Sequence, residues 1–277
     1  MASYETASRY SRMSLIEIAF GKRCRMCSRL GASLVGPVAP TNPGNFRVKE
    51  FSLLHCRQCD VVYLDPLPEP ADLKLMYEDA VQFSNDPHYT AADQVEKILD
   101  YYGTAVRNLR LLPASGERVL EIGAGLAWVS RACKSADQSV VTVAQDVSSE
   151  CAEICPWVDR YFVGSLELLP ERGPYALISL THVIEHLIDP VGALRTMAAL
   201  LAPGGRAFIT APFRPTGWQR GQGIAAWRTY SYLHVPAHIT YFSRRWFELH
   251  TARDFRIAHW DASSEDGQSF ELVLIRN

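Results

Sequence analysis

From Arg118 onward, short apolar runs alternate with amphipathic stretches. Val119-Leu-Glu-Ile, Val140-Val-Thr-Val, Tyr161-Phe-Val, Ala176-Leu-Ile-Ser-Leu and Arg206-Ala-Phe-Ile-Thr are rich in β-formers and predict strands. Between them the pattern predicts helices from Trp128 to Lys134, from about Ser148, and from Val191 to Leu201. Strands alternating with helices imply an α/β protein whose parallel sheet is covered on both faces. Ligands of such sheets sit beyond the carboxyl ends of the strands. Upstream, Val95, Ile98, Leu99, Tyr102, Val106 and Leu109 recur at helical spacing within residues 91–112 and predict a packed amphipathic helix. Before it come a strand at Val61-Val-Tyr-Leu, the breaker Asp65-Pro-Leu-Pro-Glu-Pro, and a helix over residues 71–79. A polar and aromatic loop at residues 82–89 follows, able to cover a site with Tyr77, His88 or Tyr89. The chain therefore divides into a head (1–64), a helical connector and lid (65–112) and a core (113–277) with an insert at 213–242.

Composition narrows the function. With 277 residues and 48% apolar content the chain can fill a core, which excludes disorder as its main state. Its 28 basic and 30 acidic residues leave no electrostatic footprint for nucleic acid or an anionic membrane, so a small-molecule substrate is expected. No run approaches the roughly 20 apolar residues of a bilayer span. The start lacks a basic segment followed by an apolar one, and we expect a cytoplasmic protein. The first sixty residues are locally basic, but few aromatics interleave with the charges, which favours a solvated surface over a nucleic-acid grip.

Cysteine spacing adds chemistry to the head. Cys24-Arg-Met-Cys27 and Cys56-Arg-Gln-Cys59 are two C-x-x-C turns, each able to aim two thiolates at one point. Together they complete a tetrahedral shell for a structural zinc, with no position left for water. Glycines and prolines between Ser28 and His55, then alternation over residues 46–51, suit a zinc ribbon of turns and short strands. His55 beside Cys56 is expected to be a bystander.

The first core strand ends in Glu121-Ile-Gly123-Ala-Gly125, where glycines let backbone approach a ligand closely. Trp128 stands where a dinucleotide fingerprint needs its third glycine, and Glu121 suits a ligand carrying an ammonium and a sulfonium. One strand-helix-strand unit later, Asp146 ends the second strand, the position from which a carboxylate holds a ribose diol. With His182-Val-Ile-Glu-His-Leu-Ile-Asp-Pro, Ala202-Pro-Gly-Gly and Pro236-Ala-His-Ile-Thr-Tyr-Phe-Ser, these segments resemble the class I S-adenosylmethionine-dependent methyltransferases. The subset with a C-x-x-C/C-x-x-C zinc head, found among sugar and natural-product methyltransferases, is the most similar. The resemblance implies a Rossmann-like seven-stranded sheet whose last strands, residues 256–262 and 269–275, form an antiparallel hairpin. It also implies that Glu121, Gly123 and Gly125 meet the methionine part of the cofactor, Asp146 its ribose, and Ser165 and Leu166 its adenine. Tyr89 is a further candidate contact. Ala127 stands where a glycine is common in relatives, and Ser165 where many place an aspartate.

Methyl transfer needs a base only when the acceptor must lose a proton, and His182, His186 and His238 are the candidates. Acceptors at oxygen, carbon or nitrogen stay open. Relatives that methylate sugar carbon place Tyr and Glu just before the last of these histidines, where this chain has Val235 and Ala237. The segment His182-Val-Ile-Glu185-His186 also matches the H-x-x-E-H signature of zinc hydrolases, in which one helix turns both histidines to a metal. A non-catalytic binding module is the other alternative. In the insert, Trp218, Trp227, Tyr230 and Tyr232 with Arg214, Arg220 and Arg228 could close over an aromatic or anionic substrate, or be loop anchors.

Overall fold

The computed structural model describes residues 21–41, 47, 48, 50–69, 71, 72, 86–170, 172–263 and 268–277. Two sheets organise it. The smaller is antiparallel and runs in the order β1 (Lys22–Arg23), β2 (Leu30–Val38), β3 (Phe51–Cys56), β4 (Val62–Asp65), with β10 (Thr240–Tyr241) on its edge. β2 runs as one strand through Gly31, Gly36 and Pro37, a stretch that the sequence marked for turns. It absorbs them through a register shift between Leu34 and Gly36. At Gly36 a Cβ would stand 2.6 Å from Ile224, so the glycine admits the insert.

The larger sheet has seven strands: β5 (Arg118–Ile122), β6 (Val141–Asp146), β7 (Arg160–Val163), β8 (Tyr175–Thr181), β9 (Leu201–Pro212), β11 (Phe255–Asp261) and β12 (Ser269–Arg276). Their order is β11-β12-β9-β8-β5-β6-β7. β5 pairs in parallel with β6 and β8, and order reverses on either side of it, which makes the ends of these strands the switch point. β12 is antiparallel to both β9 and β11, the hairpin expected at the carboxyl end.

Helices α1 (Pro87–Thr90), α2 (Ala92–Asn108) and α3 (Trp128–Ala136) precede α4 (Pro190–Leu200), α5 (Ala225–Arg228) and α6 (Arg244–Thr251). Tyr102, Ala105 and Val106 of α2 are buried with Leu126, Trp128 and Val129, so the apolar stripe of the connector packs on the start of α3. α4 begins with Asp189 accepting from the Gly192 amide at 2.9 Å and Pro190 in the first helical position. The helix expected from Ser148 is absent, and turns occupy that stretch. Asp146 accepts from the Ser148 amide at 2.9 Å, Ser148 accepts from the Glu150 amide, and Pro156 ends the segment, so side chains take the amides a helix would use. The helix expected over residues 71–79 lies largely outside the described residues, as do residues 82–85 and Tyr77.

The head and the insert form one core. Phe51, Leu53, Val62 and Leu64 pack with Trp218, Trp227, Tyr230, Val235 and Tyr241, and burying each large apolar side chain contributes roughly 1.5–3 kcal/mol. Trp227 is wholly buried and Tyr230 donates to the Gln268 carbonyl at 2.8 Å, so neither ring is free to stack on a substrate. Arg214 is likewise engaged, paired with Asp60 at 3.1 Å. No helix among the described residues is long and apolar enough to cross a membrane.

Candidate functional site

Beyond the end of β5 the backbone turns left-handed at three places, Gly123 (φ +60°), Gly125 (φ +47°) and Ala127 (φ +52°). A Cβ at Gly123 would lie 2.5 Å from Val183, so glycine is required for the close approach of the loop after β8. The Gly125 amide donates to Asp146 Oδ2 at 2.8 Å, and the Ser148 amide to Oδ1 at 2.9 Å. Each oxygen keeps a further lone pair, so Asp146 is oriented without being used up.

Glu121 lies beneath the turn. Its carboxylate is buried and accepts from the amides of Val129 at 3.3 Å and Ser130 at 2.8 Å, the first turn of α3. Ala127, at the cap position, has no side chain to do this, and the strand supplies the acceptor instead. Burial pushes the Glu121 carboxyl up to about 7, against the pull of those two amides.

Ser165 and Leu166 follow β7 and are half-buried. Their loop is tied to the first by Gln145, which accepts from the Gly123 amide at 3.4 Å and donates to the Gly164 carbonyl at 2.6 Å. Tyr161 donates to the Gly125 carbonyl at 2.9 Å. Sequence reasoning missed both residues. Gln145 had a signal in its place beside Asp146, while Tyr161 reads only as a strand aromatic. Tyr89 packs against the cluster holding Leu126 and Trp128, close to the turn. The side chain of His88 lies outside the described residues.

A second constellation gathers past the end of β8. His182 has φ +55°, an uncommon conformation for a side-chain-bearing residue, and its amide donates to Thr210 of β9 at 2.9 Å. Residues 184–186 then form one 3-10 turn. His182 therefore stands outside the turn that carries His186, and the single helix on which the hydrolase signature depends does not form. Glu185 is fully buried at the centre. Its Oε1 lies 3.6 Å from His182 Nδ1 and 3.8 Å from His186 Nε2, and neither carboxylate oxygen has a hydrogen-bond partner among the described residues. Burial opposes charge on Glu185, but His186, His182 and His238 outweigh it and hold the carboxyl below its ordinary range.

His238 comes from the insert, with its ring 5.0 Å from that of His186. Its Nδ1 lies 2.7 Å from the Tyr232 carbonyl, and His186 Nδ1 lies 2.9 Å from the Ala237 carbonyl. A carbonyl only accepts, so both Nδ1 atoms carry hydrogen and Nε2 of each ring is the nitrogen left to meet another group. Burial lowers His238 to about 4, so its ring is neutral near pH 7. The loop bearing His238 is fastened by the head: Arg25 donates to the Ile239 carbonyl at 3.0 Å, and Thr41 Oγ1 accepts from the Val235 amide at 2.8 Å. The Ile239 amide closes onto the Glu185 carbonyl at 2.9 Å.

The four head cysteines converge. Cys24 and Cys59 Sγ are 3.8 Å apart and Cys27 and Cys56 Sγ 3.7 Å, against about 3.8 Å for sulfurs bonded tetrahedrally at ~2.3 Å to one zinc. Amides of Met26 and Gln58 point at Cys24 and Cys56 Sγ, as thiolate charge requires. His55 instead pairs with Asp60 at 2.8 Å.

A family model for a methyltransferase domain matches residues 91–259. A ubiquinone biosynthesis O-methyltransferase of Xylella fastidiosa (strain 9a5c) is 31% identical over 121 residues, 40% of this chain and 46% of the relative. One of Caulobacter sp. (strain K31) is 33% identical over 109 residues, 35% of this chain and 41% of the relative. The matched stretch thus spans less than half of either relative. Among solved structures, the complex between the Haloferax volcanii Trm112 methyltransferase activator and the putative methyltransferase has a TM-score of 0.50 at 16% identity, covering 67% of this chain and 95% of that one. Coclaurine N-methyltransferase bound to N-methylheliamine and SAH has a TM-score of 0.50 at 11% identity, covering 65% of this chain and 72% of its own. At such identities these two bear on the fold.

Proposed function

The chain belongs to the methyltransferase-domain family, and on that premise we propose that it transfers a methyl group from S-adenosylmethionine to a hydroxyl of a small-molecule acceptor. One observation carries the reading. A left-handed glycine turn with an oriented Asp146 carboxylate adjoins, across Gly123 and Val183, a cluster of histidines around a buried glutamate. The two ubiquinone biosynthesis O-methyltransferases that the chain resembles support oxygen as the acceptor atom.

The cofactor supplies a methyl on a sulfonium: its carbon–sulfur bond breaks with the electron pair staying on sulfur as the acceptor oxygen forms the new bond. Most of the rate comes from alignment in a site that excludes water. Gly123 and Gly125 let the methionine portion lie against backbone, and Asp146 takes the ribose hydroxyls with its remaining lone pairs. Ser165 and Leu166 flank the adenine, and Tyr89 covers it from α1. Glu121 is a positioning residue behind the turn. His182 takes the acceptor proton, because it is the exposed member of the cluster and Glu185 stands 3.6 Å from its Nδ1, opposite the charge it gains. His186 and His238 stand in the same cluster. Zinc at Cys24, Cys27, Cys56 and Cys59 holds the head, and through it the His238 loop.

Calorimetric titration with S-adenosylhomocysteine tests the premise. We expect micromolar binding, weakened at least about tenfold by Asp146→Ala through loss of charge-assisted hydrogen bonds. Absence of binding to folded protein sinks the reading.

A further inference from the structure

Glu185 presents a puzzle that methyl transfer alone does not resolve. A carboxylate removed from water costs several kcal/mol unless it is paired or bound to a cation. Here both oxygens are buried and without hydrogen bonds among the described residues. Beside them stand two imidazoles whose Nδ1 atoms are held by the backbone carbonyls of Ala237 and Tyr232, which leaves Nε2 of each as the nitrogen a metal would take, and that of His186 lies 3.8 Å from Glu185 Oε1. That carbonyl-held tautomer is how proteins orient histidine as a metal ligand. Ligand atoms of Glu185, His186 and His238 all lie within 4.8 Å of one another.

We propose that Glu185, His186 and His238 form a second metal centre, an open one that takes a divalent transition-metal cation. Two nitrogens and one carboxylate oxygen are the donor set of zinc-type catalytic sites, which keep a position free for water or substrate. The head contrasts with it, since four sulfurs close their ion off. Closing the set to bonds of about 2.1 Å requires the outermost donor to move inward by roughly 1 Å. His186 retains 21% side-chain exposure, so the free position is reachable. The pairing differs from that of an H-x-x-E-H hydrolase: His182 is released, and His238 arrives from the insert in its place.

The role of the cation, though not its binding, rests on the methyl-transfer reading. An acceptor hydroxyl that occupies the free position becomes more acidic, as metal-bound water does. His182 then removes the proton, the oxygen lone pair attacks the methyl carbon, and the thioether leaves.

The test uses the full chain without cofactor. A mild chelator strips the open centre while the closed four-thiolate zinc remains, giving one zinc per chain, and the protein is titrated with Co²⁺. We expect one further Co²⁺ per chain at micromolar affinity, with the weak visible bands of nitrogen and oxygen ligation and no thiolate charge-transfer band. Glu185→Gln and His238→Ala should each weaken it at least about tenfold, and His259→Ala, on β11, should not. S-adenosylhomocysteine binding by the same variants reports that they are folded. Wild type that takes up no second ion, or undiminished uptake by folded Glu185→Gln and His238→Ala, overturns the metal centre. Loss of S-adenosylhomocysteine binding by wild type with Co²⁺ uptake intact overturns methyl transfer and leaves the metal centre standing.

Discussion

Gly125 donates to Asp146 within the continuous stretch from β5 to β7, and Gln145, Tyr161 and Glu121 brace that stretch from inside it. His238 meets Glu185 through the Ile239 amide and His186, on a loop that the head also holds, since a two-residue strand of the insert pairs with β4 and Arg25 and Thr41 fasten the adjoining residues. One half of the site is wired by its own segment, the other by three segments far apart in the chain. Local wiring makes the first half independent of the head. The second half is as stable as the ribbon, and a ribbon of this size draws its folding energy from metal.

Removing the zinc proposed for the four head cysteines should therefore separate the halves, and by the largest margin. Structural zinc contributes on the order of 10–16 kcal/mol to such folds. In Cys56→Ser, or after a strong thiol chelator, β10 loses its partner and His238 its anchor. We expect methyl transfer to fall at least about a hundredfold while S-adenosylhomocysteine affinity stays within about threefold. Equal loss of both would show that the halves fold as one, and retention of both would free the His238 loop from the head. Calorimetry and a turnover assay on one sample decide it.

The same division explains what the sequence disclosed. Glycine spacing, Asp146 and the C-x-x-C turns are contiguous signals whose chemistry needs no partner from afar. β10 spans two residues and has no period to detect, and its union with β4 is set by Trp227 and Tyr241 packing on Leu53 and Val62. The insert's rings looked equally suited to a substrate lid because burial cannot be read from residue type alone. Ser148 misled for a related reason: a capping residue promises a helix only when the segment after it can continue one, and here Asp146 and Pro156 turn the chain instead. Glu121 illustrates a third limit. An acidic residue at a strand end signals a ligand site and a helix-capping acceptor with equal force, and the 2.8 Å bond to the Ser130 amide, which shows the capping part, has no sign in the sequence.

Glu121 sharpens the comparison through pH. Its carboxyl titrates near 4.5 when unfolded and at about 7 when folded, raised chiefly by burial. Between those values the unfolded chain has shed the proton and the folded one keeps it, so stability falls as pH rises through that window and levels off above it. The span corresponds to about 3 kcal/mol. We expect the melting temperature to decline from about pH 5 to 7 in wild type and to lose this component in Glu121→Gln. Activity and cofactor affinity should barely change in the variant, since the carboxamide oxygen can still accept the shorter bond, from the Ser130 amide. A slope unaltered by Glu121→Gln would place the titrating group outside the cofactor half.

The smallest effect concerns Ala127. Its φ of +52° costs an L-residue roughly 1–2 kcal/mol, which glycine would recover. Against that stand the loss of a wholly buried methyl, worth about 0.8 kcal/mol, and the extra freedom glycine gives the unfolded chain, about 0.4–1 kcal/mol. These contributions nearly cancel. Ala127→Gly should therefore leave the melting temperature within about 2 °C and S-adenosylhomocysteine affinity within about twofold. The turn is already left-handed with alanine in place, and Trp157 holds it by donating to the Ala127 carbonyl at 3.2 Å. A large gain in affinity would mean that strain at Ala127 opposes the bound state, so that the cofactor half is less self-sufficient than its hydrogen bonds imply. A large loss of stability would show that the methyl, packed with Ala124, Ala144 and Trp157, outweighs the strain.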